Sequence, residues 1–209
     1  MKRLRVLVTC GATWSPIDEV RVISNISSGQ MGHLIASFFK SQGAHVTVIE
    51  GPVTHQLIDK GIRVIKYRYF DELAKALRLE LVKRYDVVVH AAAVSDFRLL
   101  KSSKTKISSV KGLTLRLVPN PKLIKDIKRQ SPRCFLIGFK LEPNLNLVNV
   151  FGYVKPLFEE AGCDLVVANT LKDGYQGFII DKEGNMLSRA SNKRALALRL
   201  VKLTCNAQK

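Results

Sequence analysis

The chain opens on an apolar run, Leu4 to Thr9, that stops at Gly11, and a run of that length rich in leucine and valine predicts a buried strand. From Gly29 to Gln42 the spacing changes. Met31, Leu34, Ile35, Phe38 and Phe39 recur at three and four residues and Gly43 closes the segment, which predicts a helix. The two patterns then alternate. Strands are predicted at His45 to Ile49, Arg63 to Tyr67, Asp86 to Ala93, Cys134 to Phe139 and Leu165 to Ala168. Between them fall helices at Phe70 to Lys83, Pro121 to Arg129 and Leu147 to Glu160, with a short one around His55 to Asp59 after the Gly51-Pro52 break. Such alternation implies βαβ units: an α/β, Rossmann-like, mostly parallel sheet flanked by helices. The tail adds strands at Phe178 to Ile180 and Met186 to Ser188, with a turn between them at Lys182 to Gly184, and a last helix from Ser191 to Leu203.

Two stretches break the rhythm. After Asp96, Lys106 to Val110 and Leu113 to Val118 flank a Lys111-Gly112 turn, which predicts a β-hairpin insertion at about residues 97–118. Earlier, Gly11 to Ser28 spans 18 residues, where βα loops run to about two to six. Its Trp14, Ile17, Val20, Val22 and Ile23 are too apolar for a disordered segment, so it should fold as a lid over the strand ends. Ligands of parallel sheets sit beyond those ends, where a helix N-terminus offers N–H groups to phosphate. Ser27-Ser28-Gly29-Gln30-Met31-Gly32 opens the first helix there. A serine cap with glycines for close packing explains the same residues. Because Gly11 stands so far from the helix start, the contiguous G-x-G-x-x-G dinucleotide fingerprint is not met.

The 209 residues, 46% hydrophobic and 24% charged, suit one globular domain over 1–209. No apolar run nears the ~20 residues of a membrane span. Cys10, Cys134, Cys163 and Cys205 are scattered, as free thiols of a reducing compartment would be, and a cytoplasmic location is expected. His33, His45, His55 and His90 show no metal-ligand spacing, so no metal-binding residue is assigned. The net charge of +17 is unevenly placed: no acid lies between Asp96 and Asp126, while Arg98, Lys101, Lys104, Lys106, Lys111, Arg116, Lys122 and Lys125 do. Such a field gathers anions, whether small phosphorylated substrates or nucleic acid. Only Phe97 is available there to stack on bases, which weighs against a nucleic-acid-binding module. A Rossmann oxidoreductase is the other alternative; it lacks the glycine fingerprint, and Tyr153 and Lys155 are closer together than the usual tyrosine-lysine pair of short-chain enzymes.

One ordered set of segments carries a resemblance. Gly11-Ala12-Thr13, Pro16-Ile17-Asp18, Val20-Arg21, Asn25 and Ser27 to Gly32 are followed by Gly51-Pro52-Val53, Ala91-Ala92-Ala93-Val94-Ser95-Asp96 and Lys106-Ile107. Pro121, Gly138-Phe139 with Glu142, and Asp164 to Asn169 complete the set. Over nearly the whole chain it resembles the phosphopantothenate-cysteine ligase family of coenzyme A biosynthesis. The resemblance implies a ligase that activates the carboxylate of 4'-phosphopantothenate as an acyl nucleotidylate and then passes it to L-cysteine. CTP is the favoured nucleotide, ATP the alternative, and Mg2+ accompanies either. Asn25 and Arg21 would meet the carboxylate. Gly11, Ser28, Gly29 and Gly32 would cradle the triphosphate, Ala92, Ala93 and Asp96 would contact the nucleotide, and Phe139 would pack near its base. Lys106 would stabilise charge at the α-phosphate, so Lys106 and Asn25 are the catalytic candidates. A homodimer is implied, the insertion of one subunit reaching the site of the other. With the first strand at Leu4, the decarboxylase domain fused to many members is expected to be a separate protein. Departures are Trp14-Ser15, Lys122 in place of an aspartate, Pro143 in place of a threonine, and a missing lysine before Asp164.

Overall fold

The computed structural model describes residues 3–54 and 59–208; the short helix expected around His55 lies outside the described residues apart from its end at Asp59. Strand β1 (Arg5–Cys10) is central, with β4 (His45–Glu50) and β5 (Arg63–Lys66) on one side. On its other side lie β6 (Val87–His90), β9 (Phe135–Leu141) and β10 (Leu165–Thr170). All six run parallel, and β11 (Gln176–Asp181) and β12 (Met186–Ala190) extend the sheet antiparallel at the β10 edge. The chain leaves β1 in one direction and returns to its other side at β6. That reversal opens a crevice above the carboxyl ends of β1 and β6, where open α/β sheets place ligands.

The period of two sorts the strand residues between two cores. Val6 and Val8 pack beneath α1 (Gln30–Ser41) and α5 (Lys193–Ala207), while Leu7 faces α2 (Phe70–Leu81). Further along that second face, α3 (Ile124–Gln130) and α4 (Val150–Ala161) cover Leu136 and Val166. The centre of the sheet is buried on both sides, so Val87, Val88 and Val89 form an unbroken apolar run. Gly11 ends β1 in the left-handed region at φ 82°, and a Cβ there would lie 2.9 Å from the backbone of Gly51. That close approach requires glycine.

Both irregular stretches contain strands that periodicity misplaced or missed. The long β1–α1 connection is a small hairpin, β2 (Trp14–Pro16) against β3 (Val22–Ser24), with strands too short to show a pattern. Its turn is closed by Asp18, whose Oδ1 accepts from the backbone N–H of Val20 and Arg21 at 3.0 and 2.9 Å. The insertion is a two-stranded antiparallel ribbon, but its strands are β7 (Phe97–Leu99) and β8 (Leu117–Pro119). Lys106 to Val110 is not a strand. The N–H groups of Lys106 and Ile107 go to Glu19 Oε1 and Asp18 Oδ2, so they are unavailable to a partner strand. No helix among the described residues is long and apolar enough to cross a membrane.

Candidate functional site

A cavity of about 970 Å3 occupies the crevice, bordered by the carboxyl ends of β6 and β9 and by the first turn of α1. Its size suits a nucleotide-scale ligand. One wall is the segment 25–32. Gly29, at φ 75°, caps α1 with no side-chain bond to the helix, and the first turn carries no acid. Only Ser28 Oγ approaches, 3.4 Å from the N–H of Gln30. A serine cap therefore does not account for this segment, and the free N–H groups and positive end of α1 face the cavity, as an anion requires. Gly32 lets the helix sit against β1: a Cβ would fall 2.4 Å from that of Cys10.

The opposite wall is Ala91 to Asp96, held by polar contacts on both sides. Ala92 N–H donates to Thr9 Oγ1 at 3.2 Å, Ala93 N–H to the Gly11 carbonyl at 2.8 Å, and Ser95 N–H to Thr13 Oγ1 at 2.8 Å. Asn25 closes the ring from across the cavity, its Nδ2 lying 3.3 and 3.2 Å from the carbonyl oxygens of Ala93 and Val94. Beneath this wall His90 Nδ1 lies 3.0 Å from Thr9 Oγ1. Burial lowers His90 from its ordinary 6.5 to about 4, so the ring is neutral at pH 7. Thr9 Oγ1 also accepts from Ala92 N–H, so one hydroxyl joins the ring to the wall.

A second buried group supports the α1 start. Cys10, His33 and Glu50 bring three donor atoms within 4.8 Å of one another. Glu50 is bonded to His33 Nε2 at 2.8 Å and paired with the Lys66 ammonium, which already supplies a cation. Burial pushes the Cys10 thiol up to about 12, so it is not a thiolate nucleophile at neutral pH.

Of the residues singled out in the sequence, the cavity gathers Asn25, Ser28, Gly29, Gly32, Ala92, Ala93, Asp96 and Phe139. Three stand apart. Gly11 lies beneath the wall and acts through its carbonyl. Arg21 does not present a free fork: its guanidinium is engaged by Asp18 and by the Ile107 carbonyl, the latter at 2.8 Å. Lys106 is exposed on the insertion, outside this cavity.

Other groups at the cavity had a weaker sequence signal. Asn120 fixes the wall by donating to the Ser95 carbonyl at 3.0 Å, and only its place before Pro121 hinted at it. Lys122 pairs with Asp96 at 2.5 Å, Lys125 with Glu160 at 2.6 Å, and Lys140 more loosely with Glu142 at 3.7 Å. Tyr175 and Lys193 border the far end. Nothing in their sequence surroundings distinguishes them from a turn tyrosine and a solvated helix lysine.

The model of the DNA/pantothenate metabolism flavoprotein C-terminal domain family matches residues 1–207. The chain belongs to this family. Among curated relatives it is 45% identical over 170 residues to the coenzyme A biosynthesis bifunctional protein CoaBC of Thermococcus kodakarensis, covering 80% of this chain and 41% of that protein. The chain spans about half the length, or less, of the first curated relatives it matches. Among solved structures, the DNA/pantothenate metabolism flavoprotein from Streptococcus pneumoniae superposes with a TM-score of 0.86 at 24% identity, covering 99% of this chain and 100% of that one. The C-terminal domain of coenzyme A biosynthesis bifunctional protein CoaBC gives 0.83 at 24% identity, covering 100% of this chain and 97% of that one. These superpositions share the mostly parallel Rossmann-like sheet.

Proposed function

We propose that this chain is a nucleotide-dependent ligase that joins 4'-phosphopantothenate to L-cysteine in coenzyme A biosynthesis. The observation that carries the reading is the meeting, in one cavity, of an uncapped helix N-terminus with the tethered Ala91–Asp96 wall and Asn25 between them. This arrangement suits a nucleoside triphosphate beside a carboxylate. The names of the family and of its coenzyme A relatives point the same way.

Two steps follow. A carboxylate oxygen of phosphopantothenate attacks the α-phosphorus, the bond to the bridging oxygen breaks, and pyrophosphate departs. The cysteine amine then attacks the acyl carbon, nucleoside monophosphate leaves, and the amine proton passes to phosphate or water. The chain's part is to hold three anionic groups together: the α1 N-terminus receives phosphate oxygens, and the backbone of Ala92 and Ala93 lets the ligand approach closely. Asn25, anchored on Ala93 and Val94, fixes the lid segment beside the reacting carboxylate. Arg21 holds the insertion through Asp18 and Ile107 and acts on the site by position.

Mg2+ arrives with the triphosphate in this reading. Asp96 is the carboxylate of the ligand-facing wall that fits the water shell of such a cation, and it is already matched by Lys122. The nucleotide is CTP or ATP, with CTP favoured. Lys106 serves the cavity of a second copy, in a homodimer, since its own cavity lies elsewhere. A decarboxylase acts on the product.

The test is pyrophosphate release with phosphopantothenate and Mg2+, comparing CTP with ATP and withholding cysteine in turn. Release is expected with one nucleotide. No release with either would sink the ligase reading.

A further inference from the structure

The cavity borders four lysines, and they differ in how they are matched. Lys122, Lys125 and Lys140 each have a carboxylate within 4.0 Å. Lys193 has no acidic partner among the described residues, although it is partly buried. It opens α5, and its ammonium lies 6.0 Å from the centroid of the Tyr175 ring. The Tyr175 hydroxyl is itself an anomaly. It is the one buried side-chain oxygen or nitrogen among the described residues with no hydrogen-bond partner in the protein. Buried polar groups without partners are rare and costly, so each one raises the question of what completes it.

The surroundings answer with charge. Helix α5 packs beside α1, and both start at the carboxyl ends of the parallel strands. Asn192 caps α5 through Ala195 N–H at 2.8 Å, which satisfies one donor of the helix end and leaves the Lys193 ammonium to the cavity. Gly177 keeps the tyrosine seated: a Cβ there would lie 3.0 Å from its hydroxyl and 2.3 Å from Leu196. An ammonium with no acidic partner, 6.0 Å from the centre of a ring whose hydroxyl is unpartnered, on a cavity whose other lysines are matched, is complementary to phosphate oxygens.

We infer that Lys193 and Tyr175 form a seat for the distal phosphates of the nucleotide, the part that leaves as pyrophosphate, with the Ser27–Gly32 segment holding the proximal end. The inference rests on the ligase reading and sharpens it. Lys193 supplies a full charge to the leaving group, and Tyr175 donates one hydrogen bond. Burial pushes the phenol up, which keeps it a donor at every working pH. No covalent step passes through either residue; they stabilise charge that accumulates on the departing pyrophosphate.

Titration calorimetry with CTP and ATP, with CMP and AMP, and with inorganic pyrophosphate tests this. Lys193→Gln is expected to weaken triphosphate and pyrophosphate binding by about tenfold or more. Tyr175→Phe should weaken both by about threefold to tenfold. Monophosphate affinity should stay within about twofold in each variant, and Lys193→Arg should recover most of the loss. Thermal unfolding of the variants guards against a global effect. Unchanged triphosphate binding in both variants would overturn the seat while leaving the cavity a nucleotide site, and so would equal losses for mono- and triphosphates. Wild-type protein that binds neither CTP nor ATP would bring down the nucleotide-dependent reading and the seat together.

Discussion

The crevice wall and the insertion are fastened by different chemistry. Ala91 to Asp96 is held mainly by backbone N–H groups that donate to oxygens of neighbouring segments, above strands buried on both faces. The insertion is held largely through side chains of the β2–β3 hairpin. Asp18 receives the N–H of Ile107 and the guanidinium of Arg21, Glu19 receives the N–H of Lys106, and Ile17 O accepts from Ser103 N–H at 2.9 Å. The first arrangement is rigid by topology. The second is a polar clasp, and its chain between β7 and β8 is free of regular structure. A rigid pocket and a clasped arm are what a cavity completed from outside needs.

The largest expected effect breaks that division of labour. Lys106→Gln should fold normally and lose about 10²- to 10³-fold in turnover, the usual cost of removing one charge-stabilising donor. If the clasp offers Lys106 to a second copy, mixing Lys106→Gln with Asn25→Ala should restore activity. Random pairing leaves half the dimers with one intact site, so about a quarter of wild-type turnover is expected. Two inactive variants that stay inactive when mixed would return Lys106 to its own subunit, and wild-type turnover in Lys106→Gln would remove it from the chemistry.

The same contrast explains what the sequence showed. The sheet was legible because β1, β4, β6, β9 and β10 are buried on both faces and therefore read as apolar runs. The first-helix segment was legible because its glycines sit where the helix start packs tightly on Val53 and Cys10. The clasp was not. Trp14–Pro16 and Val22–Ser24 are too short for a period to appear, and a carboxylate that closes a turn and ties a distant loop looks the same in sequence as a solvated one. Arg21 reads as an anion fork for that reason, whereas in the fold Asp18 and the Ile107 carbonyl occupy it. Lys193 and Tyr175 escaped notice because their interest lies in lacking partners, which a sequence does not record.

On the rigid side, His90 supplies the next effect. Its pKa is depressed from 6.5 to about 4 in the folded protein, so between those values the unfolded chain binds more protons. Its contribution is complete above pH 6.5 and is lost as the pH falls toward 4, by about 3 kcal/mol in all. Urea unfolding of wild type and His90→Gln at a series of pH values isolates it: the wild-type advantage should shrink by that amount over the window. Parallel curves would mean that His90 is not held neutral. A smaller loss is expected from Gly32→Ala. Alanine is favoured over glycine in a helix by about 1 kcal/mol, but its Cβ would overlap that of Cys10, and overpacking costs about 1–3 kcal/mol. A net loss of about 1 kcal/mol is expected, together with weaker nucleotide binding and no change in protease access to residues 100–116. A stabilised variant would show that α1 can retreat from β1.

The smallest effect separates the fold from the field of the cavity. Lys122 and Asp96 are both more than half exposed, so their bond contributes little to folding despite its 2.5 Å length. Lys122→Ala should change stability by less than about 1 kcal/mol. Ligand binding is another matter. Removing the lysine leaves Asp96 uncompensated on a wall that the proposed function turns toward phosphates, so triphosphate affinity should fall a few-fold at low salt, and the deficit should narrow as ionic strength rises. The double variant Lys122→Ala with Asp96→Asn should narrow it as well, since the exposed carboxylate is then gone. A deficit that ignores both salt and the second substitution would mean that Lys122 touches the ligand directly.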